Sequence, residues 1–325
     1  MQIDRSRVKR ILVISLTNVG DIILTTPVIK TLSKKFSGAR LDVMVGPHGK
    51  EIFEKDPAVF KVIIYDKHLP ITEKRRLQLK LKKLKYDLVV DLRNTVFGLL
   101  IGPKFRTATI QSFPSALAHR KKRHLYRLKS LGIDGFDEET YIHVLKEDEE
   151  YVSGLLRENG VGPAAVVVSP GAKSHLKRWT AEGFAEVADR LVGECGADVV
   201  FVGLKEDEDT VKNIIGKMKH KSHDLVGRTN IRQLASLLGR SRLLITNDSA
   251  PLHLGCAAGA RVLAIFGPTD PKKYGPTGEF DSVINKKLSC SPCEAAECKC
   301  NYECMKSISS EEVFDTAKMM LEGYG

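Results

Sequence analysis

Aromatic residues make up only 6% of the 325 positions, with a single tryptophan. No basic segment interleaves them in the manner of nucleic-acid readers, so nucleic acid is not expected as a partner. Long apolar runs are also missing. Stretches such as Val96–Gly102 fall far short of the roughly 20 residues that span a bilayer. The charged start Met1–Arg10 leads into an apolar run that stops at Leu16, too short for a secretory signal, and a cytoplasmic chain is expected. After the first strand the dinucleotide fingerprint G-x-G-x-x-G is absent, which removes the best support for a nicotinamide enzyme. With 26 Gly, 13 Pro and 42% hydrophobic residues, collagen, low-complexity and disordered classes are excluded as well.

Positive charge is in surplus. The chain carries 51 Lys and Arg against 40 Asp and Glu, a net +11, which suits an anionic partner: a phosphorylated ligand or an acidic membrane face. Basic residues crowd into Lys74–Lys85, read as a solvated helix face, and into His119-Arg120-Lys121-Lys122-Arg123-His124.

Apolar, β-branched runs alternate with helix-like stretches. Strands are expected at Arg10–Leu16, Leu41–Gly46, Val59–Tyr65 and Leu88–Leu92, with helices at Ile22–Phe36 and Glu73–Lys85. The pattern pauses at the polar segment Gly132–His143, and a charged helix follows at Glu147–Asn159. It restarts with strands at Ala164–Ser169, Asp198–Gly203, Leu243–Thr246 and Val262–Phe266, and helices at Ala181–Glu194, Glu206–Lys219, Ile231–Gly239 and Ala250–Ala258. This is an α/β chain of two doubly wound, Rossmann-like halves, expected at 1–155 and 156–325 and facing a central cleft. The last helix, about 309–322, is offered a place back on the first half. Such sheets take ligands beyond the carboxyl ends of their strands.

The chemistry-bearing residues fall at those ends. Thr17-Asn18-Val19-Gly20-Asp21 follows the first strand. Asp21 stands where an N-cap belongs, and it is either that cap or a general base. Pro170-Gly171-Ala172 with Lys177-Arg178-Trp179 suits a phosphate cradle before a helix. Thr246-Asn247-Asp248-Ser249-Ala250-Pro251-Leu252-His253 joins another strand to a helix. There the Ser249 and Ala250 amides would face an anion, and Ser249 and His253 share a helical face. Glu206-Asp207-Glu208-Asp209 contains a D-x-D pattern, read as a solvated first helical turn rather than a metal site. Five cysteines, Cys290, Cys293, Cys298, Cys300 and Cys304, lie close together, and in a cytosolic chain they leave open a structural zinc or iron–sulfur site or free thiols.

These motifs, with Thr25-Thr26-Pro27, Phe266-Gly267-Pro268-Thr269-Asp270-Pro271 and Cys290-Ser291-Pro292-Cys293, resemble glycosyltransferase family 9, the ADP-heptose:lipopolysaccharide heptosyltransferases. The likeness runs in order through nearly the whole chain. It implies a GT-B fold and an inverting transfer of heptose from ADP-heptose to an inner-core hydroxyl of lipopolysaccharide, requiring no metal or other cofactor. By that resemblance Asp21 is the base and Gly171, Lys177 and Arg178 meet the donor diphosphate. The Ser249 and Ala250 amides hold phosphate, Asp248 and His253 frame the sugar, and an acidic residue after Gly203, Glu206 ahead of Asp207 or Glu208, meets the adenosine ribose. Family members commonly carry Gly where this chain has Ala250. Asn18, Arg93, His119, Arg120, Lys121 and Lys122, with Arg123 beside them, are expected to meet the anionic acceptor. Peripheral contact with the cytoplasmic face of a Gram-negative-type inner membrane is expected too. The rivals are a similar transferase with another nucleotide sugar or acceptor, a GT-B-shaped nucleotide-sugar epimerase, and a non-catalytic nucleotide-sugar or polyanion binder, which would need no carboxylate at Asp21.

Overall fold

A computed structural model describes residues 3–95 and 97–323; Val96, at the head of the apolar stretch noted above, lies outside them. Contacts divide the chain between His143 and Val144.

In the first unit the apolar runs become five strands: β1 (Arg10–Ile14), β2 (Arg40–Val45), β3 (Lys61–Ile64), β4 (Leu88–Asp91) and the short β5 (Phe105–Arg106). All pair in parallel in the order β3-β2-β1-β4-β5, with Val13 opposite both Val43 and Val90. Helices cover both faces of a parallel sheet, which is why β1 and β4 read as unbroken apolar runs rather than alternating ones. Those helices are α1 (Val19–Ile23), α2 (Thr26–Lys35), α3 (Lys50–Phe53), α4 (Ile71–Lys83), α5 (Phe97–Leu100) and α6 (Arg120–Tyr126). The single helix expected over Ile22–Phe36 is therefore two. Pro27 has no N–H for the Ile23 carbonyl, and the Thr26 hydroxyl donates to it instead at 2.8 Å, while Thr25 donates to the Ile22 carbonyl at 2.6 Å. The polar segment 132–143 has no helix or strand but is tied to α2: Asp137 lies 3.1 Å from Lys30 and 2.7 Å from Lys34.

The second unit carries β6 (Val166–Ser169), β7 (Val199–Phe201), β8 (His223–Asp224), β9 (Leu243–Asn247), β10 (Val262–Phe266) and β11 (Ser282–Asn285). The sheet is parallel in the order β11-β10-β9-β6-β7-β8. Its helices are α7 (Lys146–Glu158), α8 (Ala181–Cys195), α9 (Glu208–Ile215), α10 (Ile231–Leu238), α11 (Ala250–Ala258), α12 (Pro271–Tyr274), α13 (Glu303–Lys306) and α14 (Ser310–Glu322). Thr180 caps α8, and Gly196, in the left-handed region at φ 61°, ends it.

The packing of two helices bears on the division of the chain. The boundary expected after 155 falls before α7, because α7 packs on α10: buried Asp148 lies 2.8 Å from Arg232, and the Tyr151 hydroxyl donates to the Arg228 carbonyl. The helix at 309–322 is bound into the second unit. Val313, Phe314 and Ala317 join the core of Trp179 and Phe184 against α8, and Arg242 and Arg261 donate to the last carbonyls of α14. No helix among the described residues is long and apolar enough to cross a membrane.

Candidate functional site

In the second sheet the strand order reverses between β6 and β9, and the loops after these strands meet there, as open α/β sheets dictate. Asn247, fully buried at the end of β9, clamps the neighbouring loop: its amide donates to the Pro170 carbonyl at 2.7 Å and its oxygen accepts the Trp179 N–H at 3.1 Å. Asp248 follows. Its carboxylate is 5% exposed and lies 2.6 Å from the Lys177 ammonium, whose side chain is 29% exposed, so Lys177 is held from one side and open on the other. The Thr269 hydroxyl, from the loop after β10, donates to the same carboxylate oxygen at 2.5 Å. Three strand ends thus converge on Asp248. Ser249 precedes α11 without a side-chain capping bond, which leaves the first-turn amides to an anion. His253 lies buried in the same helix.

Not every residue of the expected cradle faces outward. Arg178 donates to the Ala172 carbonyl at 2.8 Å and so stitches its own loop. Gly171 is required for a close approach, since a Cβ there would come within 2.6 Å of the Asp207 carboxylate. Asp207 also accepts the Leu204 N–H at 2.9 Å. Lys205 and Lys212 both pair with Glu208 and hold its carboxyl down at about 2. Two carboxylates of the acidic run are thereby committed to the protein, while Glu206 is exposed.

The first sheet reverses between β1 and β4. Asn18, not Asp21, occupies the cap position of α1, correcting the expected placement of Asp21. Asp21 stands three residues on, half-buried, and accepts the Asn18 side-chain amide at 3.1 Å. Buried Asp91 ends β4 and shapes the next loop by accepting the N–H groups of Arg93 and Thr95, each at 2.9 Å. Arg93 lies over the Tyr65 ring, 5.4 Å from its centroid.

The basic run 119–123, expected to meet the acceptor, is not uniformly exposed. His119 caps α6 by accepting the Lys121 N–H at 3.2 Å. Helical periodicity then turns Lys121 and His124 inward, while Lys122 is exposed beside Glu138 at 3.9 Å. Arg120 is half-buried, and Arg123 donates to the Leu117 carbonyl. Burial, reinforced by Arg127, Arg120 and His119, pushes His124 down to about 3.

Among the described residues no group of three or more His, Cys, Asp or Glu is placed to hold a metal ion. Cys304 turns into the core and Cys293 outward. Neighbouring Cys290 pushes the Cys300 thiol up, and burial does the same to Cys304. The segment instead straps the loop after β10. Cys293 and Glu294 donate to the Pro268 carbonyl at 3.0 and 2.9 Å, and Ser291 donates to that of Gly267.

Sequence reasoning passed over Asn247 and Thr269 as individual positions. For Asn247 the available signal was a hydrogen-bonding side chain at the end of an otherwise apolar strand, where a buried amide must find partners.

Comparison with known proteins adds sequence and fold evidence. The model for glycosyltransferase family 9 (heptosyltransferase) matches residues 107–303. Lipooligosaccharide heptosyltransferase 2 of Campylobacter jejuni is 27% identical over 317 residues, covering 94% of this chain and 96% of that protein. Among solved structures, a family 9 glycosyl transferase from Veillonella parvula superposes with a TM-score of 0.84 at 25% identity, covering 97% of each chain. The E. coli ADP-heptose lipopolysaccharide heptosyltransferase II shares the fold at a TM-score of 0.79 and 20% identity, over 97% of this chain and 99% of that one.

Proposed function

We infer the reaction from one premise: the chain belongs to glycosyltransferase family 9 and is a glycosyltransferase. The reading supported best is transfer of heptose from ADP-heptose to an inner-core hydroxyl of a lipopolysaccharide-type acceptor. The observation that carries it is the convergence of Lys177, Asp248 and Thr269 at the reversal of the second sheet, beside the uncapped start of α11. Asp248 orients the Lys177 ammonium, whose remaining protons serve the donor diphosphate. The Ser249 and Ala250 amides take a phosphate oxygen. Glu206, the exposed carboxylate of its turn, meets the ribose hydroxyls, and His253 frames the sugar.

In the first unit Asp21 is the general base, with its second oxygen turned to the acceptor hydroxyl. Asn18, Arg93, half-buried Arg120 and exposed Lys122 receive the acceptor's anionic groups. The hydroxyl oxygen bonds to the anomeric carbon as the bond to the diphosphate breaks. The proton goes to Asp21 and the electron pair leaves with ADP, and attack opposite the leaving group inverts the anomeric centre. Lys177 and the helix amides balance the charge gathering on ADP, a task that needs no divalent ion. A lipid-borne acceptor places the enzyme peripherally at the cytoplasmic face of the inner membrane.

The test offers ADP-heptose, UDP-sugars and GDP-sugars with a panel of truncated lipopolysaccharide acceptors. ADP release together with an acceptor heavier by one heptose is expected. Preference for another nucleotide sugar, or no transfer to any heptose-deficient acceptor, overturns the reading.

A further inference from the structure

Helix α4 has an outer face that nothing in its unit covers. At about 100° per residue, Leu77 and Leu81 point inward. Leu81 joins the core that holds Phe97 and Ile101 of the α5 segment, with Leu77 packed against it. On the opposite side lie Ile71, Arg75, Leu79, Lys82 and Lys83. Ile71 is 82% exposed and Leu79 51%, and on α5, which packs beside α4, Leu99 and Leu100 are 57% and 44% exposed. Arg75, Lys80, Lys82 and Lys83 make no ion pair or hydrogen bond among the described residues, whereas Arg76 is paired with Glu73. A solvated helix face explains the cations, but not four aliphatic side chains held in water among them.

We propose that this face seats the protein on an anionic lipid bilayer, with Ile71, Leu79, Leu99 and Leu100 entering the headgroup layer and Arg75, Lys82 and Lys83 meeting lipid phosphates. Charge complementarity selects the occupant: unpaired cations draw the helix to an anionic surface, and their methylene stems lie along the apolar boundary while the charges stay wet. Exposed aliphatics add nothing on a phosphate backbone that they cannot enter. The inference extends the reading of a lipid-borne acceptor, and an assay with neither donor nor acceptor keeps its failure distinct from a failure of that reading.

The full chain is sedimented with vesicles of phosphatidylcholine alone or mixed with phosphatidylglycerol. Binding to the anionic vesicles, weakened by added salt, is expected. The variant R75Q/K82Q/K83Q should lower partition by about a hundredfold, and I71S/L79S by about tenfold. The melting temperature should hold in both, because these side chains are exposed. A control with the same loss of charge on exposed lysines of the second unit, K219Q/K221Q/K287Q, should bind as the unchanged protein does. Equal binding to neutral vesicles, undiminished binding of the α4 variants, or an equal loss in the control each overturns the proposal.

Discussion

Asp21 and Asn18 share one hydrogen bond, and an Asp21→Asn variant can preserve it by presenting its amide oxygen to the Asn18 donor. Cap geometry is untouched, since Asn18 holds that position. What the variant loses is the proton acceptor, so kcat should fall roughly 10²–10⁴-fold while ADP affinity stays within about twofold. A variant with undiminished kcat ends the case for Asp21 as base. His124 makes a separate prediction at this scale. In the unfolded chain its imidazole protonates as pH falls through its ordinary value of 6.5, whereas in the folded protein burial keeps it neutral down to about 3. Its contribution is fully present above pH 6.5 and is lost progressively as the pH drops toward 3. The loss reaches about 2 kcal/mol by pH 5. Urea unfolding across that range should show a flatter pH dependence for His124→Gln than for the unchanged protein.

Among elements, the loop between β6 and α8 depends on a neighbour rather than on its own sequence. Both ends of the Asn247 amide are spent on it. Asn247→Ala leaves the Pro170 carbonyl and the Trp179 N–H without a partner, at a cost of about 3 kcal/mol in unfolding free energy. It should also weaken ADP binding, because Lys177 rides on the released loop. A variant with unchanged stability and unchanged ADP binding removes the clamp from the account.

For the whole molecule, the donor site proposed for the second unit predicts a link between ADP and stability. At a hundredfold excess over Kd, ADP should stabilise the protein by about 2.7 kcal/mol, read as a rise in the calorimetric transition. Lys177→Ala should abolish most of that rise. The variant is also less stable by itself, since it leaves buried Asp248 with Thr269 alone. Transfer should persist in EDTA, as Asp207 and Glu208 of the acidic turn are engaged by Leu204, Lys205 and Lys212. Activity lost with EDTA and restored by Mg²⁺ contradicts that assignment.

Order along the chain was legible from residue types alone. Buried parallel strands must be apolar throughout, so β1, β4, β6, β9 and β10 stand out, and ligand chemistry in such sheets must follow strand ends, where Asp21, Lys177 and Asp248 lie. The edge strands β5 and β8, two residues each, carry too little apolar pattern to be seen. Tertiary structure decided the rest, because partners far apart in sequence assign each side chain its job. Arg232 and α10 claimed α7 for the second unit, α8 claimed the last helix, and the Pro27 ring broke one helix into two. Helical rotation buried Lys121 and His124 while exposing Lys122, a difference that a row of similar cations cannot announce. Asp207 and Glu206 are neighbours of like charge, yet packing against Gly171 turned only Asp207 inward. Periodicity belongs to the sequence, but which polar group is satisfied by the protein, and which remains for a ligand, depends on what the fold brings beside it.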